Sequence, residues 1–173
     1  MQHWIATTML AGAMLVAALG DEQGGKPFVP PDFEVPKKLQ TEKFRLRMLS
    51  VADAEKDYQA VMESTQLLRR MFQSDWPRDG FTLEENRKDL EMHQKEFQNR
   101  EAFAYTVVSL DESAVLGCVY IDPSKDGKTD ATVHMWVRQS EYDKGLDTIL
   151  FQTVKAWIEA KWPFKKVAYP GRE

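Results

Sequence analysis

Hydrophobic residues along the chain follow two different periods, and the switches between them predict its secondary structure. In EKFRLRML, residues 42–49, apolar and basic side chains alternate, which predicts a half-buried strand. A helical pattern follows, for which Ser50 is a candidate N-cap with Asp53 three residues later. SDWPRDG, residues 74–80, contains the proline and the glycine that end this helix. The helix presents an apolar face formed by Ala54, Tyr58, Val61, Leu68 and Phe72.

A second helix is predicted to start at residue 83. Thr82 and Glu85 have the spacing of a capping box, in which each residue hydrogen-bonds the backbone of the other. His93 lies beside the apolar stripe of this helix, where a packed or exposed histidine is expected rather than a metal ligand. The stripe itself consists of Leu83, Leu90 and Phe97.

Three strands are predicted after this helix pair. AFAYTVVSL, residues 102–110, and AVLGCVYI, residues 114–121, are β-rich runs separated by three polar residues, which is typical of an antiparallel hairpin. Gly117 interrupts the second run, and a glycine there predicts a bulge or the close approach of another backbone or a ligand. DATVHMWVR, residues 130–138, alternates again and forms the third strand.

The C-terminal part is predicted to contain a helix and one last strand. Residues 140–162 have an apolar stripe with a 3.6-residue period, and Pro163 ends that helix. Residues 164–173 then form a short strand, which a right-handed crossover places parallel to the strand before the helix. The sequence therefore predicts an α/β fold: a mixed, largely antiparallel sheet with helices on both faces. The stripe consists of Tyr142, Leu146, Ile149, Leu150, Val154, Trp157 and Ile158.

The first 41 residues differ from the rest of the chain. Residues 1–20 contain no Asp, Glu, Lys or Arg. Their apolar stretch, about residues 5–19, is somewhat short for a membrane span and suits a signal peptide cleaved before Asp21. This predicts an exported or membrane-associated protein; the alternative is a cytoplasmic protein whose N-terminal helix packs on the domain. Residues 21–41 contain four prolines and predict an extended linker, with the folded domain at residues 42–173.

Composition narrows the classes of function. The chain is 43% apolar, which supports a core, and its net charge of −4 with no long basic run disfavours a nucleic-acid-binding protein. The single cysteine, Cys118, excludes an internal disulfide and a cysteine-rich zinc site, and its apolar neighbours predict a buried thiol rather than a nucleophile. The three histidines lack metal-ligand spacing, so no metal is predicted.

The order of elements resembles the GNAT-type N-acetyltransferase fold over about residues 42–169. The resemblance rests on FRLRMLSVADAEKDYQAV at residues 44–61, AVLGCVYI at 114–121 and WVRQSEYDKGLDTIL at 136–150. Compared with the family, the chain is C-terminally shortened, because the further helix and two strands that usually follow are missing. The resemblance implies an N-acyltransferase that uses acetyl-CoA or another acyl-CoA and acts on a small-molecule or peptide amine.

The same resemblance implies where the acyl donor binds. In the family, pantetheine pairs with the backbone of the fourth strand, and its pyrophosphate binds a loop patterned Arg/Gln-x-x-Gly-x-Gly/Ala. Gly145 is the one match to that pattern, and three acids, Glu141, Asp143 and Asp147, surround it. A self-capped helix N-terminus is the alternative to a phosphate-binding loop here. The residues implied by the resemblance are Met135, Trp136, Val137, Arg138, Lys144 and Gly145.

Candidate catalytic residues lie on the same elements. An amine must lose a proton before it attacks a thioester, and His134, on the strand that would hold the thioester, is the best placed base. Its alternative is a packed or solvent-facing strand histidine. The family's usual tyrosine acid lies on the missing helix, so Tyr169 or Tyr120 would have to replace it.

Two further hypotheses remain beside the enzyme. Acyl-CoA is a cytoplasmic metabolite, so an exported protein of this fold is better explained as a non-catalytic binding or interaction module. A third hypothesis is an incomplete sheet completed by a partner, such as a homodimer formed through an uncovered edge strand. The sequence does not indicate which amine would be the acceptor.

Overall fold

The structure, a computed structural model, describes residues 27–172, so the predicted leader at residues 1–20 lies outside the described residues. Within them, one sheet contains six strands in sequential order. The strands are β1 Lys38–Gln40, β2 Arg45–Met48, β3 Phe103–Val108, β4 Val115–Pro123, β5 Ala131–Val137 and β6 Val167–Ala168. The helices are α1 Ala54–Glu63, α2 Thr65–Phe72, α3 Leu83–Asn99, α4 Gln139–Tyr142 and α5 Leu146–Lys161. None of these helices is long and apolar enough to span a membrane.

Strand directions follow the predicted topology. β1 to β5 pair antiparallel with their neighbours, whereas β6 pairs parallel with β5 after the α5 crossover. The capping box of Thr82 and Glu85 starts α3. The predicted mixed, largely antiparallel α/β sheet is therefore confirmed.

Helices cover both faces of the sheet, also as predicted. On one face, α5 packs Leu150 and Val154 against alternate residues of β5, including Met135. On the other face, α1, α2 and α3 pack against the opposite set of side chains, in which the Trp136 indole is fully buried. Because successive strand side chains point to opposite faces, β5 contributes to both cores and separates two chemically different environments.

The proline-rich segment is part of the fold from residue 27 onward. It is extended, as predicted, but Val29 is only 1% exposed and Phe28 stacks on Phe164 with ring centroids 5.0 Å apart. Residues 38–40 form β1 and pair with β2. Prolines prevent helix formation but allow extended packing along an open sheet edge, so the folded region starts earlier than residue 42.

Two predicted helices are each divided. The first is interrupted at Ser64, whose hydroxyl donates to Ala60 O at 2.7 Å and accepts from Gln139 N at 2.9 Å. The last is interrupted at Gly145, which has φ +82° and separates α4 from α5. Tyr142 is consequently 41% exposed. The prediction that it belongs to the apolar stripe of α5 is therefore wrong.

Gly117 lies at a β-bulge and at the close approach of another backbone, the two features that a glycine at this position predicted. The β3–β4 register shifts beside it, between Val107 and Val108, so β4 contains a bulge. A Cβ atom on Gly117 would lie 2.0 Å from Trp136 O, because the β5 backbone approaches closely. Glycine is therefore required where β4 and β5 meet next to the candidate site.

Candidate functional site

A cavity opens where the sheet splits between β5 and β6. β6 pairs with β5 only at Ala131–Val167 and Thr132–Ala168, so within the described residues the rest of β5 has no strand partner on that side. The opening, which we call the edge cavity, has a volume of about 390 Å³. It is lined by Met71, Phe72, Gln73, His134, Met135, Tyr142, Asp147, Pro170, Gly171 and Arg172.

The backbone of β5 presents alternate peptide groups to this cavity. Trp136 O points toward β4, since it lies 2.0 Å from the position of a Gly117 Cβ. Met135 O points the other way and accepts a hydrogen bond from Arg172 at 3.1 Å. Neighbouring residues of a strand direct their peptide groups to opposite sides, so Met135 and Val137 face the open edge. Of the three predicted backbone contacts, Trp136 is the one that faces away.

Arg172 closes part of the edge cavity. Besides Met135 O, its guanidinium donates to both carboxylate oxygens of Asp147 at 2.7 Å and lies 5.5 Å from the Phe151 ring centroid. The C-terminal residues thus take the position beside β5 that the resemblance implies for pantetheine. The same contact neutralises Asp147, one of the acids expected to repel a phosphate.

The predicted phosphate loop has no free amides. Gln139 N donates to Ser64 Oγ at 2.9 Å and Ser140 N donates to Glu63 Oε1 at 3.0 Å. The other amides of residues 138–145 donate to backbone carbonyls. The side chains that cap this loop come from the end of α1 and from Ser64, so the bonds differ both from an open phosphate-binding loop and from a helix N-terminus capped by its own residues.

The two cations of this loop are already paired. Arg138 donates two hydrogen bonds to Glu63 Oε2, one from Nε at 2.9 Å and one from Nη2. Hydrogen bonding to Arg138 is the main reason that the pKa of Glu63 is lowered to about 2. Lys144 pairs with Glu141 at 2.8 Å. The structure therefore does not bring Arg138, Lys144 and Gly145 together around an anion.

The N-terminus of α5 is a better anion-binding group than the loop. This helix starts after Gly145 without a side-chain cap, and its first-turn residue Asp147 lines the edge cavity. The first amides of a helix carry a partial positive charge and attract anions. Because Arg172 pairs with Asp147, the first turn of α5 is not dominated by an unpaired carboxylate.

A second cavity of about 390 Å³ lies between α3, the residues that follow α2, and the face of β4 and β5 that packs against α1–α3. We call it the acidic cavity, because three carboxylates line it and none of its lining residues is Lys or Arg. Its carboxylates are Asp57, Asp89 and Asp122, its aromatic residues Phe72, Trp76 and Tyr120, and its histidines His93 and His134. Within residues 27–172 there is no cluster of His, Cys, Asp or Glu that could hold a metal ion.

Asp57 is the buried carboxylate of the acidic cavity. It is 3% exposed, accepts from Asn86 Nδ2 at 3.0 Å and from the Cys118 thiol at 3.5 Å, and makes no ion pair with any described residue. Burial raises the pKa of Asp57 to about 6, and burial also raises the pKa values of Asp89 and Asp122. Cys118 is buried, as predicted.

His134 belongs to the walls of both cavities. Its ring lies 6.3 Å from that of Phe72, which also lines both cavities, and it is paired in register with Tyr120 across β4 and β5. Tyr120 lines the acidic cavity, and burial raises its pKa well above the usual value. The His134 side chain can therefore contact a molecule in the edge cavity and a molecule in the acidic cavity.

Tyr169 lies outside both cavities. Its ring packs edge-on against Phe151 with centroids 5.5 Å apart, and its hydroxyl has no hydrogen-bond partner among the described residues. Burial raises its pKa to about 12. Of the two tyrosines considered as acids, the structure brings Tyr120, not Tyr169, next to His134.

Sequence reasoning missed several residues of this site. Asp57 had a usable signal, because it lies three residues after Ala54 and four before Val61, on the apolar face of α1, where a charged residue is unusual. No sequence pattern indicated Arg172, since its contacts depend on how the chain after β6 folds back. Trp76 stood in a segment predicted only as a helix terminator.

The raised pKa of Asp57 affects stability as well as chemistry. The folded protein binds this proton more tightly than the unfolded chain, whose value is near 3.8. The contribution of Asp57 to the free energy of unfolding is therefore most favourable below that pH, falls as the pH rises toward 6, and stays lowered above it. The groups that face Asp57 are Asn86 and His93 from α3, Cys118 from β4, and Asp53 before α1.

We expect Asp57→Asn to increase the free energy of unfolding by about 1–3 kcal/mol at about pH 8, because each tenfold change in proton affinity corresponds to about 1.4 kcal/mol. The gain should shrink as the pH falls through 6 and vanish below 3.8. Urea unfolding of variant and wild type across this range measures it, with Glu91→Gln, an exposed residue of α3, as the charge-matched control. A variant less stable than wild type at about pH 8 contradicts the expectation.

Comparisons with known proteins agree on the architecture. No protein-family model and no curated protein matches the sequence. Among solved structures, the microcin C7 self-immunity acetyltransferase MccE, in complex with acetyl-CoA and AMP, superposes with a TM-score of 0.63 at 15% identity, over 78% of this chain and 73% of that one.

Two further structures give the same result. An acetyltransferase from Salmonella typhimurium that modifies the N-terminal serine of a ribosomal protein has a TM-score of 0.58 at 14% identity, over 75% of this chain and 71% of that one. A protein from Bordetella pertussis assigned to the GnaT family of acetyltransferases has a TM-score of 0.56 at 14% identity, over 78% of each chain. At these identities the likeness shows the fold, and the fold of this chain is that of the GNAT-type N-acetyltransferases.

Proposed function

We propose that the protein is an N-acyltransferase that transfers an acetyl or other acyl group from acyl-CoA to an amine. The observation that carries this proposal is the position of His134, which lines both the edge cavity and the acidic cavity. One cavity lies at the open strand edge and the other is acidic. Transfer between two substrates requires such a shared wall, because donor and acceptor must meet at one point. The structural likeness to MccE, solved with acetyl-CoA, supports the proposal.

The residues of the edge cavity fit an acyl-CoA with one rearrangement. Met135 and Val137 offer peptide groups at the open edge, and the uncapped N-terminus of α5 offers amides to the pyrophosphate. Arg172 now bonds Met135 O and would have to release it. The arginine could then remain with Asp147, to which it makes two hydrogen bonds.

In this arrangement each side chain has a definite task. Amines are mostly protonated at neutral pH, so a base must remove a proton before the nitrogen can attack a carbonyl. His134 accepts that proton from an amine held in the acidic cavity. Phe72, beside His134, keeps water away from the point where the two cavities meet. The nitrogen then bonds to the thioester carbon of the acyl donor and the carbon–sulfur bond breaks. CoA leaves as its thiol after its sulfur takes up the second proton that the nitrogen loses.

A second candidate function is a non-catalytic binding module of the same fold. It is favoured by the amides of residues 138–145, all of which are bonded internally, and by Arg172 at the open edge of β5. We include in this second proposal export through the leader and a homodimer formed through a sheet edge, as the sequence predicts.

Calorimetry with acetyl-CoA, CoA and pantetheine distinguishes the two candidates. We expect heat with acetyl-CoA and CoA, and weaker binding of pantetheine, which lacks the pyrophosphate that α5 would attract. Mass spectrometry of an amine panel incubated with acetyl-CoA should then detect acetylated product. Absence of heat at millimolar acetyl-CoA overturns the enzyme proposal and favours the binding module.

A further inference from the structure

The acidic cavity has the chemistry of a site for an organic cation. Its aromatic walls are Phe72, Trp76 and Tyr120. Its lining residues include three aspartates and no Lys or Arg. Aromatic faces attract ammonium groups, most strongly where water is excluded. Apolar walls between the charged positions suit a hydrocarbon chain.

Asp57 gives this cavity a fixed anchor. A buried carboxylate is costly unless an opposite charge accompanies it, yet its partners are the neutral Asn86 amide and the Cys118 thiol. The nearby Asp53 differs, because Arg47 holds it with two hydrogen bonds of 2.8 Å. Among residues 27–172, Asp57 therefore has no counter-ion of the kind that its neighbour has, and it lines a cavity from which a ligand could supply one.

Asp57 and His134 mark two separate places in the cavity. Asp57 contacts Cys118, which is paired with Trp136, whereas His134 is paired with Tyr120. Cys118 and His134 are therefore diagonal neighbours on adjacent strands. Two residues in this relation are about 7–8 Å apart. One nitrogen cannot reach both places, but a short chain with a nitrogen at each end can.

We propose that the acidic cavity binds an aliphatic diamine, with one ammonium at Asp57 and the other amine at His134. The assignment of the second amine as the acyl acceptor rests on the proposed function. Phe72, Trp76 and Tyr120 enclose the methylene chain between the two nitrogens. Asp89 and Asp122 add to the negative charge of the cavity and disfavour amines that carry a carboxylate.

Binding of three matched compounds, without any acyl donor, tests the proposal. Tetramethylenediamine has an ammonium at both ends, n-butylamine at one end, and γ-aminobutyrate replaces the second ammonium by a carboxylate. We expect calorimetry on the wild-type protein to rank them in that order, with the diamine at least tenfold tighter than butylamine. Equal affinity of the wild-type protein for the diamine and for butylamine overturns the proposal. This test does not depend on the folding of any variant.

A variant pair then locates the anchor. Asp57→Asn keeps the size of the side chain and should weaken diamine binding about 10- to 100-fold, and it should weaken butylamine, whose one ammonium binds the same carboxylate, by a similar factor. Glu91→Gln removes one negative charge from the exposed surface of α3 and should change neither. Unchanged diamine binding in Asp57→Asn overturns the proposal.

The outcome is separable from that of the proposed function. Diamine binding that depends on Asp57, together with no acetylation of the diamine, supports this site and contradicts the enzyme. Acetylation of amines without a preference for diamines supports the enzyme and overturns this site.

Discussion

His134→Gln should lower kcat for amine acetylation by about 100- to 10,000-fold, the range in which the contribution of a positioned general base usually falls. Glutamine keeps a comparable size and hydrogen-bonding capacity but cannot accept the proton. Because the side chain lines both cavities and bonds neither substrate covalently, the affinity for acetyl-CoA should change by less than about threefold. Steady-state kinetics with the best amine, and calorimetry with acetyl-CoA, measure the two quantities.

The matched control is Thr132→Val, two residues earlier on the same face of β5. Thr132 lines neither the edge cavity nor the acidic cavity, so kcat should remain within about twofold of wild type. If His134→Gln retains full kcat, His134 is a packed strand histidine and the base lies elsewhere. If it loses acetyl-CoA affinity as much as kcat, its role is in binding the donor.

Gly117→Ala should be among the most destabilising single changes in the chain, with a loss of more than about 4 kcal/mol in the free energy of unfolding. The added Cβ would lie 2.0 Å from Trp136 O and 2.8 Å from Val137 Cα. Both are backbone atoms of β5, so no side-chain rotation can relieve the contact. β4 and β5 would have to separate beside His134, which disrupts the site together with the sheet.

Chemical denaturation followed by circular dichroism measures this loss, and a protein that fails to accumulate as soluble material also agrees with it. Gly127→Asn is the control, because a Cβ at Gly127 has open space and asparagine tolerates its φ of +66°. That variant should lie within about 1 kcal/mol of wild type. A Gly117→Ala variant of near wild-type stability would show that the two strands can move apart easily.

Most elements of the fold could be predicted from the sequence, and the exceptions have physical causes. The alternation in β5 and the stripe of α5 are local patterns that record which side chains are buried. The breaks at Ser64 and Gly145 could not be predicted this way. Ser64 faces Gln139, which is 75 residues away, and Gly145 adopts a left-handed conformation that a glycine permits but does not impose.

The candidate site could be predicted less well than the fold. His134 and Met135 line the edge cavity, but Arg138 and Lys144 are paired with carboxylates, and Tyr169 is partly buried against the core. The resemblance pointed to β5, the strand that borders both cavities, because the position of an element in the order of the fold is shared. It could not locate side-chain partners, which depend on residues specific to this chain.

The sequence by itself determined the order of elements, the faces of the strands and the need for glycine at residue 117. These follow from the period of burial and from backbone geometry, both of which act over a few neighbouring residues. Only the tertiary structure decided that Arg172 occupies the open edge of β5 and that Asp57 is buried with no counter-ion in the part of the chain that the structure describes. Arg172 and Met135 are 37 residues apart, and Asp57 and Cys118 are 61 apart. Charge and burial at such positions are set by how distant segments pack, which no local pattern records.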